Sequence, residues 1–269
     1  MVSQLVRSPG CDNQDMAVAK GEMAVIALAR ANIYNLLAST YAVPPSTRVA
    51  QAISDGTLLR VFRDVGLDQV ADELDVRIGG RDARDLLEEM EVEYTRLFVA
   101  PGPGYVSPYQ SMYCVESSEG GTDASNDGKR LDKKQLWGDS AVAAKKMYSK
   151  AGLSVISEHR DVPDHIALEL QFMHHLCSRE AEALNAGRIL DAEESVRLQA
   201  AFLETQLLPW IDRFCRAVGN AARHPFYRGI AVLTAAFVLS DVEESRQRTS
   251  LVGDAKCHPL AADGPVRWG

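Results

Sequence analysis

The sequence predicts an all-α protein folded as a single helical bundle. Apolar residues recur at the helical period in one stretch after another, and no run alternates in the manner of a strand. Proline and glycine fall between the periodic stretches rather than within most of them. At 269 residues, 46% hydrophobic and 25% charged, the chain can bury one sizeable core.

Each element can be argued in order. Residues 1–20 are polar and irregular and read as a mobile N-terminal arm. The helical domain is expected over residues 21–240. Its first helix spans Glu22 to Ala42, with Ile26, Tyr34, Leu37 and Tyr41 on one face padded by alanines, and Pro44-Pro45 stops it. Ser46 caps a second helix reaching Val65, and a third covers Leu67 to Val76 before Gly79-Gly80. Asp82 to Val99 is strongly amphipathic: Leu86, Met90, Tyr94 and Leu97 recur at the helical period, widened by Leu87 and Phe98. Pro101-Gly-Pro-Gly104 breaks that helix and opens a long loop, polar from 117 to 130. Helices are expected again over Asp132–Ala151 and Val162–Ala186. Another spans Asp191–Val218, with Pro209 as a kink or restart. A last helix from His224 or Pro225 to Leu239 is apolar on nearly every side and belongs at the centre of the core. Residues 241–269 read as a polar tail with few anchors.

Bulk composition narrows the function. A net charge of −8 argues against nucleic acid, which needs a basic footprint. The five cysteines are odd in number and widely spaced, with no Cys-x-x-Cys, so free thiols in a reducing compartment are expected. The N-terminus carries no basic segment leading into an apolar run, and the apolar stretch Ile230 to Leu239 is too short to span a bilayer. A cytoplasmic protein without stable membrane insertion is the expectation.

Three strings hold the remaining information: Glu91 to Phe98 running into Pro101, Pro108-Tyr-Gln-Ser111, and Val162 to Leu170. On the first, Glu93 and Glu91 flank the apolar stripe. This is either a core helix with solvated shoulders or a groove wall whose acidic edges meet arginines. On the third, Asp161 can cap the helix and Asp164 can complete a box-like start. His165 and Glu169 then share a face that also holds Ile166, Leu170, Phe172, Met173, Leu176 and Cys177. A carboxylate there needs a partner or a raised pKa. The pair is either a structural lock at the helix start or, with Asp164, the polar floor of a cleft. No metal is expected, because a third ligand at metal spacing is missing; His174 and His175 point about 100° apart on a helix. Ser111 or Cys114 with His165 lacks a nucleophile elbow, and the Gly102-Pro-Gly104 turn is no phosphate loop. Neither a cofactor nor an enzymatic activity is expected.

Taken in this order, the strings resemble the TorD/DmsD/NarJ-like redox-enzyme maturation chaperones. The resemblance runs from Ala24 to Leu239. It also takes in Arg30-x-x-x-Tyr34-x-x-Leu37 and Tyr148-x-x-x-Gly152-Leu153. It implies an all-helical, cytoplasmic, non-enzymatic chaperone. Such a chaperone binds the twin-arginine signal peptide of a molybdenum-cofactor oxidoreductase catalytic subunit and holds it for cofactor insertion. Matching positions place Tyr94, Leu97, Phe98, Pro101, Pro108, Ser111, Asp164 and His165 at the peptide site, with Glu93 and Glu169 beside them. The polar segment 117–130 is longer than the family pattern. Two alternatives stand beside this reading. One is a NarJ-like chaperone that binds the mature catalytic subunit. The other is a helical protein that binds or hydrolyses guanine nucleotide through Asp164, His165 and Glu169.

Overall fold

A computed structural model describes residues 9–114, 138–154 and 162–257. Within them the regular structure is helical, apart from one isolated antiparallel bridge between Tyr109 and His165. The helices are α1 (Pro9–Ala42), α2 (Thr47–Ser54), α3 (Thr57–Asp64), α4 (Asp68–Ile78), α5 (Ala83–Tyr94), α6 (Asp139–Lys150), α7 (Ile166–Asn185), α8 (Ile189–Phe202), α9 (Ile211–Ala221) and α10 (Pro225–Cys257). Single π-helical turns extend α5 over Thr95–Val99 and α8 over Leu203–Leu207.

Four boundaries differ from the sequence expectation. α1 already begins at Pro9, inside the stretch read as an arm. The helix expected from Ser46 to Val65 is two helices, because Gly56 adopts φ +75°, a left-handed conformation that a helix interior excludes. α7 starts at Ile166 rather than Val162, since Pro163 and Asp164 form a turn closed by the His165 N–H donating to the Val162 carbonyl at 3.0 Å. α10 runs well past Leu239 into the supposed tail, where Asp241, Val242 and Ser245 are buried. Asp161, the 117–130 segment and residues 258–269 lie outside the described residues.

α1 packs along α7. Ala24, Ala27, Ala31 and Ala38 are buried on its inner stripe, and side chains that small allow close approach of the two backbones. Tyr34, Leu37 and Tyr41 complete that stripe, but Ile26 is 57% exposed. It stands about 80° round the helix from Tyr34, at the edge of a stripe that Ala27 and Ala31 already fill. α10 contributes Phe226, Tyr227, Ile230, Leu233 and Val238 to the core, all buried as its composition predicts. Its Pro225–Arg248 part is long and apolar enough to cross a membrane by length and composition, yet 61% of its most apolar window is buried against the rest of the protein. One continuous core joins side chains from α1 through α10.

Arg30 is locked in that core. Its guanidinium donates to Asp241 Oδ1 and Oδ2 at 2.7 and 2.9 Å, to Gln199 Oε1 at 2.8 Å and to Glu180 Oε2 at 3.3 Å. The Tyr34 hydroxyl also donates to Asp241, at 2.5 Å. Arg248 reaches both Glu180 and Asp241. Two cations and two carboxylates thus tie α1, α7, α8 and α10 together with nearly balanced charge.

Candidate functional site

The α5 helix starts at Asp82, whose side chain accepts from the N–H groups of Arg84 and Asp85. Its apolar stripe is buried as read: Leu86, Met90, Tyr94, Leu97 and Phe98 all face the core. In the π-helical turn an extra residue is accommodated, with the Ala100 N–H donating to the Thr95 carbonyl at 2.8 Å. Leu97 and Phe98 both point inward there.

Tyr94, Leu97 and Phe98, which the resemblance places at the peptide site, are buried in the core, as the core reading of this helix has it. Leu97 is fully enclosed. Phe98 stacks edge-on against Tyr41 and Tyr227, and tilted against Tyr94, with ring centroids 5.4–6.0 Å apart. The Tyr94 hydroxyl donates to the Tyr41 carbonyl at 3.2 Å. These aromatics fasten α5 to α1 and α10.

Glu93 is likewise engaged. Its carboxylate accepts from Arg96 Nε and Nη2 at 2.8 Å each, and from the backbone N–H groups of Arg223 and His224 ahead of α10. Arg96 Nη2 also donates to the Ala221 carbonyl at the end of α9, at 2.7 Å. The pair clamps the α9–α10 turn by supplying an acceptor to its amides and a donor to its carbonyl. Burial pulls the Glu93 pKa upward, but the hydrogen bonds from Arg96 and the two amides outweigh it and hold the carboxyl down to about 2. Glu93 is therefore no free acidic lip, whereas Glu91 is exposed.

The second and third strings meet. Loop residues 101–108 turn back on α5, the Val106 N–H donating to the Leu97 carbonyl at 2.7 Å, and Pro101 stays exposed at the turn. Pro108 to Gln110 then pairs in an extended manner with Asp164 to Ile166. The Gln110 N–H donates to the Asp164 carbonyl at 2.9 Å and the Ile166 N–H to the Pro108 carbonyl at 2.8 Å. Asp164 is wholly buried, and its Oδ2 accepts from the Ser111 N–H at 2.9 Å. Burial raises its carboxyl pKa, and the Ser111 N–H and the adjacent hydroxyl oppose that rise.

His165 caps α7, one residue after Asp164: its Nδ1 accepts from the Ala167 N–H at 3.1 Å. Its ring stands edge-on to Tyr109, 5.1 Å between centroids. Glu169 faces elsewhere and accepts at Oε2 from the Trp210 indole N–H at 3.1 Å. Burial, helped by the neighbouring Asp164, pushes its carboxyl well above the ordinary range. His165 and Glu169 thus share a helix end but serve different partners.

The structure therefore divides the predicted residues into two groups. Glu93, Tyr94, Leu97 and Phe98 sit in the α5–α9–α10 joint. Pro108, Ser111, Asp164, His165 and Glu169 form one contiguous site. Tyr109 touches His165, and the Tyr94 hydroxyl pKa is pushed up to about 12 chiefly by burial. Three site members escaped the sequence reading. Gln110 Nε2 donates to the Gln206 carbonyl at 2.9 Å, and the Tyr148 hydroxyl to the Pro163 carbonyl at 2.7 Å. Tyr148 stood in the resemblance without a role, and nothing local marks Gln206. Among the described residues no group of three His, Cys, Asp or Glu is placed to hold a metal ion.

An all-helical chain whose loop string and Pro-Asp-His string join at one polar site defines a class. The chain matches the family model of the nitrate reductase delta subunit over residues 63–216, more than half its length, and belongs to that family of TorD/NarJ-like redox-enzyme maturation chaperones. Its curated relatives are chaperone proteins. TorD of Shewanella amazonensis is 28% identical, over 84% of this chain and 94% of its own length. TorD of Shewanella pealeana is 24% identical over 80% and 88%, and that of Colwellia psychrerythraea 26% over 80% and 91%. A crystal structure of a protein assigned to redox enzyme maturation in Archaeoglobus fulgidus is a more distant likeness. It is 21% identical, covering 78% of this chain and 91% of that one, with a TM-score of 0.38.

Proposed function

We propose that this chain is a cytoplasmic, non-enzymatic chaperone for the maturation of a molybdenum-cofactor oxidoreductase. In this reading it binds the twin-arginine signal peptide of the catalytic subunit until the cofactor is inserted. Family membership supports the chaperone role. The observation that carries the peptide reading is the junction of Pro108–Ser111 with Asp164–Ile166. An extended segment is already held there by backbone hydrogen bonds beside a buried carboxylate and two half-buried rings, Tyr109 and His165. Backbone pairing grips an extended peptide without regard to sequence, while carboxylates select cationic side chains.

Calorimetric titration of the full chain with signal peptides tests this, including the peptide encoded beside the chaperone's own gene. A saturable one-to-one complex is expected, weakened about tenfold or more in His165→Ala, which loses the α7 cap and melts somewhat lower but stays folded at the titration temperature. Absence of binding to every peptide, or indifference to His165→Ala, would sink the reading. Peptides truncated at the end of the leader separate it from recognition of the mature subunit.

A further inference from the structure

α1 is apolar on two sides. Its inner side packs on α7 and the core, while its outer side is open among the described residues. Val18, Val25 and Val43 are 63%, 68% and 57% exposed, and Ile26 and Leu28 beside them are each more than half exposed. A helix that is apolar all round belongs inside a core. Single apolar side chains on a surface are ordinary, but a continuous row of them marks an interaction site.

The row has the spacing of a helix–helix seam. Val18, Val25, Ala29, Asn32, Leu36 and Val43, with Glu22 and Ser39 between them, succeed one another in alternating steps of four and three residues. That alternation keeps a seam on one side of a helix and fits it to a second helix. Leu36 is half-buried and the others are exposed; Val43 directly follows the last turn of α1.

The order of sizes along the seam selects the occupant. Laid against itself in reverse, the seam pairs Val18 with Val43, Val25 with Leu36 and Ala29 with Asn32. Large side chains meet large ones towards the ends, and the short ones meet at the centre, where two crossing helices approach most closely. A two-fold contact requires such a self-complementary patch, because each copy presents the same surface to the other. Charge points the same way. The chain carries −8, yet from Met23 to Thr47 its one charged residue is Arg30, which is buried. Two copies that meet here avoid the repulsion between like-charged surfaces. Glu22 is the one charge on the seam. Reverse pairing sets it opposite Ser39, whose hydroxyl donates to the Leu36 carbonyl of its own helix at 2.9 Å. It also keeps the two copies of Glu22 about 25 Å apart, beyond the Debye length of about 8–10 Å. Parallel pairing would set them face to face.

We infer that the outer face of α1 is a docking surface for a second copy of this chain, the two α1 helices pairing antiparallel about a two-fold axis between Ala29 and Asn32. The seam is about 39 Å long and about 10 Å wide, roughly 400 Å² on each copy. That is about half of a standard interface, so the dimer is weak, with a Kd on the order of 10–100 μM.

Sedimentation velocity of the full chain from about 1 μM to about 1 mM tests this. A monomer–dimer equilibrium is expected, weakened about tenfold or more in Val25→Glu. Val25 is exposed, so that variant should melt as the wild type does. Oxidation of an equimolar mixture of Val18→Cys and Val43→Cys should join the two variants above the wild-type background, and neither alone should do so. A chain that stays monomeric throughout overturns the inference. A dimer that Val25→Glu leaves intact also overturns it, since that dimer is held elsewhere, for instance by exchanged helices. Self-linking of Val18→Cys alone, or no link in the mixture, overturns the antiparallel pairing.

Discussion

Glu93 and Glu169 are the same residue type in opposite circumstances, and their titrations should separate them. Glu93 meets a guanidinium and two amides, so its folded pKa lies below its ordinary 4.5. Its contribution is present above that value and is lost as pH falls towards about 2. Glu93→Gln should cost about 1–3 kcal/mol at neutral pH by urea denaturation, and the two proteins should converge in acid. Equal stability at pH 7 would dismiss the clamp. Glu169 is raised instead, so the folded protein keeps it neutral while the unfolded chain ionises it above 4.5. Stability then falls as pH rises from that value towards the folded pKa. Glu169→Gln should match wild type near pH 4 and melt progressively higher than it towards pH 8. A gap that does not change with pH would mean that the folded carboxyl is ionised. Glu169 could be read as a carboxylate on an apolar face, because helical period reveals faces. Its donor, Trp210, is 41 residues away and could not be read at all.

At the scale of elements, the π-helical turn after α5 depends on a glycine outside it. Gly104 adopts φ +96°, and a Cβ there would fall 1.8 Å from Arg96 Nη1. Gly104→Ala must therefore either strain the backbone or push Arg96 off Glu93 and the Ala221 carbonyl. A loss of about 1–3 kcal/mol is expected in thermal or chemical melts. Because both changes act through the same guanidinium, Gly104→Ala and Arg96→Ala should be less than additive; full additivity would show that the glycine does not act through Arg96. The stripe of α5 was legible residue by residue, since 100° per residue sets side-chain direction locally. Whether that stripe lined a groove or a core was not, because Tyr94 and Phe98 find their partners on α1 and α10.

Across the whole molecule, Arg30 and Asp241 close the bundle over a sequence separation of 211 residues. Asp241→Asn leaves Arg30 and Arg248 facing Glu180 with one carboxylate fewer. Breaking a buried pair of this kind costs about 3–5 kcal/mol. Denaturant melts should show that loss, and hydrogen exchange should show α10 loosened beyond Leu239 while Phe226–Val238 stay protected. If stability is unchanged, Arg30 is satisfied by Glu180 and Gln199 alone. The tail reading failed at this same point. A polar composition after Leu239 looks solvent-bound until a buried cation is found waiting for it.

The amino-acid order alone determined the helical class, most helix positions, the inward stripes of α5, α7 and α10, and the strings that mark the family. All of these follow from the local geometry of the helix and from residues close in sequence. Only the tertiary structure decided which polar groups meet. It turned Glu93 into a clamp and laid Pro108–Ser111 across Asp164. Hydrogen bonds between distant segments depend on where the packed helices bring them in space, and no local period encodes that.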